Sequence, residues 1–341
     1  MDAPVLASPR QRSRVVSGMR PTGALHLGHY HGALKNWVRL QHDHECYFFV
    51  ADWHALTTHY ADREDLERNV YDMVVDWLAA GIDPDRATLF IQSRLPEHAE
   101  LFALLAMGTP LSWLERVPSY KDQMKALAGR DLATYGFLGY PLLQAADILI
   151  YKAAFVPVGE DQAPHVEITR EVARRFNHLY GGGHTVLPEP AVLLTEVSKL
   201  PGLDGAKMSK SLSNDIAMRE EPAEVERKIR RMPTDPDRVR RTDRGNPERC
   251  PVWQFHRVYC DTDTQAWVTK GCTTAGIGCL ECKQPVIDAI VREQAPWRER
   301  AEAYLSNPKQ VHWIVEVGTE RARARARQTM REVRAAVGLV Y

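Results

Sequence analysis

Residues 14–41 constrain the fold of this chain more than any other stretch. Arg14-Val15-Val16-Ser17-Gly18 reads as a short buried strand and Arg20-Pro21-Thr22-Gly23 as a tight turn. A helix then begins near Leu27 and runs through Tyr30, Leu34, Trp37, Val38 and Gln41. A strand–turn–helix unit of this kind leaves a phosphate-sized gap at the helix N-terminus, where free N–H groups and the helix dipole favour an anion. Gly28 lacks a side chain, so a flat base or sugar can approach the backbone there. His26 and His29 flank that glycine and can donate hydrogen bonds to phosphate oxygens.

Cys46-Tyr47-Phe48-Phe49-Val50-Ala51 and Ala87-Thr88-Leu89-Phe90-Ile91 read as further buried strands, with helical patterns between them, as around Leu66 to Leu78. Strands alternating with helices predict an α/β fold, a doubly wound parallel sheet whose ligands sit at the carboxyl ends of the strands. After about Asp215 helical signals dominate, and Glu221-Pro222-Ala223-Glu224 reads as a helix start. The expected organisation is a disordered tail over 1–13, a nucleotide-binding unit over 14–217 and a helical unit over 218–341. The final helix is expected over about Thr319 to Val337, and its arginines lie all round it, which suits solvated side chains.

The 341 residues carry a formal net charge of zero, which excludes a uniformly basic nucleic-acid protein but not a local basic patch. No apolar run is long enough to span a bilayer, and residues 1–13 lack the apolar core of a secretory signal. Six cysteines without such a signal point to a reducing, cytoplasmic compartment, where clustered thiols are metal ligands more often than disulfides. Cys250, Cys272, Cys279 and Cys282 give the spacing C-x21-C-x6-C-x2-C. Four thiolates suit either tetrahedral zinc or a 4Fe–4S cluster, and free thiols are the third possibility. Zinc sites usually have two short knuckles, whereas this spacing has one. Cys46 and Cys260 fall outside the pattern and read as packed thiols. A basic segment precedes the cluster: Lys228, Arg230, Arg231, Arg238, Arg240, Arg241, Arg244 and Arg249, half offset by four acids. Such a patch can position an RNA backbone without reading its sequence.

A second motif, Lys207-Met208-Ser209-Lys210-Ser211, follows the turn signal Pro201-Gly202-Leu203-Asp204-Gly205. Two ammonium groups on a mobile loop can close on a triphosphate and neutralise the charge that builds on departing pyrophosphate. With His26-Leu27-Gly28-His29, this pair of motifs resembles the class I aminoacyl-tRNA synthetases, and specifically the bacterial-type tryptophanyl-tRNA synthetases. The resemblance extends over Gly18 to Gly32, Ala51 to Thr57, Tyr140 to Leu149, Val158 to Gln162 and Lys207 to Ser211.

That resemblance implies activation of L-tryptophan by ATP with Mg²⁺, then transfer to tRNA(Trp). It places His26, His29, Lys207 and Lys210 as catalytic groups. The nucleotide would lie against Arg20, Pro21, Thr22, Gly28 and His29, against Gly159, Glu160, Asp161 and Leu200, and against Lys207, Met208, Ser209, Lys210 and Ser211. Asp147 would accept the indole N–H, with His54, Tyr140, Gln144 and Gln162 around the amino acid. Arg20 stands where many relatives have glutamine, and Gln144 where many have methionine. A subset of the family with closely similar cysteine spacing carries a 4Fe–4S cluster in its anticodon-binding region, and the family forms homodimers. Tyrosine activation, tRNA-independent nucleotidyl transfer and an iron–sulfur RNA-binding role are the rival readings.

Overall fold

The computed structural model describes residues 12–60, 65–117, 120, 133–159, 163–194 and 200–341; of the expected N-terminal tail, residues 1–11 lie outside that set. Among the described residues, five parallel strands form one sheet: β1 (Arg14–Met19), β2 (Glu45–Val50), β3 (Ala87–Ile91), β4 (Phe155–Val158) and β5 (Ala191–Leu194). Their order is β3-β2-β1-β4-β5. The chain thus winds outward from β1 to β3, then returns to the other side of β1 with β4. The order reverses between β1 and β4, and a crevice opens there at the carboxyl ends. β2 is buried over five of its six residues, as expected of a central parallel strand covered on both faces.

The first helix runs as Leu27–His29, a π-helical turn Tyr30–Leu34, and Lys35–Leu40. π turns gather at functional sites. This one ties the N-terminal helix to the C-terminal helices. His31 Nε2 lies 2.8 Å from Tyr259 Oη and 3.3 Å from Glu293 Oε2, and the Tyr30 ring centroid is 4.3 Å from that of Trp297.

The C-terminal part is helical: Pro222–Arg231, Pro251–Tyr259, Thr262–Thr273, Cys279–Leu305 and Pro308–Ala336. Apolar packing crosses residue 217 without a break. Val225, Ile229, Val286, Ile290 and Trp297 share one cluster with Val15, Phe48 and Trp77. Ala322, Ala326, Met330 and Val333 join Val16 and Phe90 on the other face. Among the described residues, Trp253, Val268 and Ile277 form a separate small cluster, with Cys250 and Cys282 packed against it.

The last helix begins at Pro308, three turns before the sequence signal, and lies on the edge strand β3. A Cβ at Gly318 would stand 1.9 Å from the Leu89 carbonyl oxygen, so only glycine lets the backbones meet so closely. Of its arginines, Arg321, Arg327 and Arg331 are exposed, in line with their spread around the helix, and four also have partners beyond it. Arg321 and Arg323 donate to the Pro84 and Arg94 carbonyls, and Arg327 and Arg334 bind Glu97 and Glu100.

Candidate active site and cysteine site

A cavity of about 510 Å³ opens at the junction of β1 and β4. Gly28, His29, Gly32, Asn36 and Lys207 line it, as do His54, Tyr140, Gln144, Asp147 and His165; Arg20 and Gly159 are also among its lining residues. The two motifs therefore converge, although 180 residues separate Gly28 from Met208, whose sulfur lies 3.3 Å from the Gly28 nitrogen. A Cβ at Gly28 would sit 3.0 Å from the His26 ring and 3.3 Å from Met208, which explains the glycine between the two histidines.

His26 and His29 stack with ring centroids 3.7 Å apart. His29 Nδ1 accepts from the His26 backbone N–H at 3.3 Å, so the proton of the neutral ring belongs on Nε2, free to donate. Burial, with Lys210 and Lys207 nearby, lowers His26 to about 4. Burial, reinforced by His26, Lys210 and Lys207, lowers His29 to about 3. Both rings are uncharged donors at neutral pH.

The lysine loop is held by residues that sequence reasoning did not single out. Asn214 Oδ1 accepts from Ser209 N–H at 2.7 Å, and its amide donates to Asp204 at 2.8 Å and to the Lys207 carbonyl at 3.1 Å. Lys210 Nζ donates to the Thr22 carbonyl at 3.0 Å and abuts Gly23, whose φ of +105° suits glycine. Asp76 accepts from Leu25 N–H at 2.8 Å and from Arg219 at 2.5 Å, anchoring the turn after β1 to helix Leu66–Ala80. Burial lowers Lys210, opposed by Asp215, Asp76 and Asp72. Met208 and Leu200 are buried beside the loop. Arg20 Nη1 reaches Thr58 Oγ1 at 3.5 Å. Pro21 and Thr22 form the turn, with Thr22 N–H bonded to the Arg20 carbonyl. Glu160, Asp161 and Gln162 lie outside the described residues, as does the side chain of Ser211.

Asp147 is fully buried in helix Tyr135–Leu149. No lysine or arginine pairs with it among the described contacts. Instead His54 Nε2 lies 2.8 Å from Oδ2 and His98 Nδ1 2.6 Å from Oδ1, while Gln92 donates to both oxygens. Burial works against its charge, but the hydrogen bonds from His54 and His98 outweigh that and hold the carboxyl below its ordinary range. Gln92 and His98 carried no sequence signal.

The four cysteines of the C-x21-C-x6-C-x2-C pattern come from two helices, Thr262–Thr273 and Cys279–Leu305, and the loop position just before Pro251–Tyr259, close enough to influence one another. Burial, with Cys250, Cys272 and Cys279 alongside, pushes the Cys282 thiol up to about 12. A Cβ at Gly245 would come within 2.6 Å of Cys272 Sγ, and buried Arg238 reaches that sulfur at 3.9 Å. His256, fully buried, lies 3.4 Å from Cys282 Sγ and 3.3 Å from Cys260 Sγ. Among the described residues no three His, Cys, Asp or Glu groups are drawn together tightly enough for one metal ion. In the basic segment, Lys228, Arg230, Arg241 and Arg249 pair with Glu220, Glu226, Glu281 and Asp235, and Arg231, Arg240, Arg241 and Arg244 are exposed. No helix of the described residues is long and apolar enough to cross a membrane.

A phosphate-ready helix start, a lysine loop and an amino-acid-sized pocket at a parallel-sheet switch point are the parts of an adenylate-forming site. Residues 8–293 match the family described as tRNA synthetases class I (W and Y), and the chain belongs to that family. It is 58% identical to the tryptophan–tRNA ligase of Ralstonia nicotianae, over 96% of this chain and 99% of that protein. It is 52% identical to the tryptophan–tRNA ligase of Thermotoga maritima, over 96% and 100%. The tryptophanyl-tRNA synthetase of Campylobacter jejuni, solved with ADP and tryptophan, superposes with a TM-score of 0.84 at 32% identity, covering 96% of this chain and 100% of that one.

Proposed function

We propose that this chain activates L-tryptophan with ATP and transfers it to tRNA(Trp), the activity of a bacterial-type tryptophan–tRNA ligase. The observation that carries the reading is one cavity lined by His29 and Lys207 from the two motifs and by a buried carboxylate, Asp147. The tryptophan carboxylate attacks the α-phosphate, and pyrophosphate leaves. His26 and His29 donate to phosphate oxygens as neutral rings, and Lys207 and Lys210 neutralise the developing charge. Arg20, Pro21, Thr22, Gly28, Gly159 and Leu200, with Met208 and Ser209, cradle the nucleotide. Mg²⁺ arriving with ATP would supply further charge neutralisation. Asp147 accepts the indole N–H, with His54, Tyr140 and Gln144 around the ring. Orientation of the reactants supplies the rest, and no protein nucleophile is needed.

Residues 14–217 hold the small substrates, and 218–341 receive the tRNA, with Arg240, Arg241 and Arg244 facing its backbone. The setting is the cytoplasm. The enzyme works as a homodimer. Support for a dimer comes from Met107, Leu111, Leu179 and Tyr180, large side chains left 79%, 60%, 47% and 36% exposed, two of which line one shallow groove. Sedimentation at micromolar concentration is expected to return a dimer; a monomer overturns the assignment.

Cys250, Cys272, Cys279 and Cys282 hold a 4Fe–4S cluster. Zinc bonds sulfur at about 2.3 Å, which needs four thiols within roughly 4 Å of one another. The single short knuckle in the C-x21-C-x6-C-x2-C spacing favours the larger cluster over zinc, and the four thiols lie near enough to influence one another. Gly245 makes room for the Cys272 sulfur itself. Anaerobically purified protein is expected to carry about four iron and four sulfide per chain, and Cys279→Ser to lose them. Charging of tRNA should then fall further than tryptophan-dependent pyrophosphate exchange. One zinc per chain without iron shows the assignment wrong.

A further inference from the structure

Asp147 has little acceptor capacity to spare. A carboxylate offers about four acceptor positions. Here His98 Nδ1 takes Oδ1 at 2.6 Å, Gln92 Nε2 spans both oxygens at 2.8 and 2.9 Å, and His54 Nε2 takes Oδ2 at 2.8 Å. An indole N–H must therefore replace one of these donors. Gln92 and His98 are fully buried and do not line the cavity, whereas His54 does. His54 is thus the donor that can yield, and Oδ2 the oxygen it uncovers.

His98 is held on its other side as well. Its Nε2 lies 2.7 Å from Tyr151 Oη. Tyr151 is itself fully buried and stacks on Tyr47 with centroids 4.6 Å apart. The line Tyr151–His98–Asp147 runs away from the cavity into the core between β2 and helix Tyr135–Leu149.

We propose that His98, braced by Tyr151, is a positioning residue for amino-acid selection: with Gln92 it fixes Asp147 from behind, so that Oδ2, the oxygen His54 covers, is the one presented to the substrate N–H. This rests on the reading that Asp147 accepts that N–H. Without His98, Oδ1 of the fully buried Asp147 loses its shortest hydrogen bond. The carboxyl then turns toward another donor or takes up a proton. In either case it becomes a weaker acceptor, and leaving it unpaired costs less. The rejection of ligands that lack the N–H should fall, because that rejection arises from an unpaired buried acceptor.

The test compares L-tryptophan with 3-benzothienyl-L-alanine, a near-isostere in which sulfur replaces the ring N–H, by amino-acid-dependent pyrophosphate exchange. The wild type should prefer tryptophan by roughly 10⁴ in kcat/KM, as expected for a site built around one N–H. His98→Leu should cut that preference by roughly ten- to a hundredfold, through KM for tryptophan, with KM for ATP unchanged. His98→Asn, whose amide can still donate to Oδ1, should keep most of it. Tyr151→Phe, an isosteric change, should give a smaller loss in the same direction. It serves as the deciding variant if His98→Leu does not fold. Equal slowing of both substrates in His98→Leu, or an unchanged preference in folded Tyr151→Phe, overturns the proposal and leaves the reading of Asp147 intact. A wild type that does not discriminate between the two amino acids removes that reading and the proposal together, before any variant is made.

Discussion

Asp147→Ala is expected to lower the preference for tryptophan over phenylalanine by at least two to three orders of magnitude, since a site that pairs a buried acceptor with an N–H rejects analogues lacking it by factors of about 10⁴. The same change strands three donors, from His54, Gln92 and His98. Breaking a buried network from one side costs roughly 3–5 kcal/mol, so a lower melting temperature should accompany it. Asp147→Asn keeps the shape but turns one acceptor into a donor facing His98, Gln92 or His54, and should lose selectivity with less loss of stability. Exchange assays with both amino acids and a thermal melt separate the two effects, and full selectivity in folded Asp147→Asn would place the acceptor elsewhere. The pH dependence has a definite sign. Asp147 is depressed in the folded state, so its contribution to stability is complete above the unfolded value of about 4. It is lost only as pH falls through the lower folded value.

Lys210→Ala and His29→Ala should each remove roughly 2–4 kcal/mol of transition-state stabilisation, about 30- to 900-fold in kcat, the range for one preorganised donor. KM for tryptophan should change little, because the proposed indole acceptor, Asp147, is bonded to neither group. His26 and His29 ionise only near pH 4 and 3, so neither should contribute a titration limb to the exchange rate between pH 5 and 8. Wild-type rates in either variant would remove these groups from the adenylation step.

Much of this arrangement is legible in the sequence where signals are local. β1, β2 and β3 follow from apolar runs bounded by turn residues, and their observed limits differ from the expected ones by a residue at most. β4 and β5 are four residues each, and β4 contains Pro157; neither is long enough to stand out from a loop. The helix carrying Asp147 begins at Tyr135 and runs through Pro141, a residue that in sequence reads as a helix break. The paired motifs announce the cavity. The residues that make them work do not announce themselves. His98 lies 49 residues from Asp147, and its neighbours look like those of any buried helix face. Asn214 is one polar residue in a polar stretch until the fold wraps the lysine loop around its amide.

The contact between Gly318 and Leu89 also has a bearing on how the chain is made. β3 is the outer strand of the sheet, and its exposed side is closed by a helix that emerges some 230 residues later. At about 5–20 residues per second, that interval is roughly 10–45 s of synthesis. Throughout it the nascent sheet presents the open strand to whatever surrounds the ribosome, and an open strand is a template for pairing with other chains. Emergence of helix Pro308–Ala336 therefore ends the period in which this strand is open to misassembly, and any truncation before residue 318 makes that period permanent.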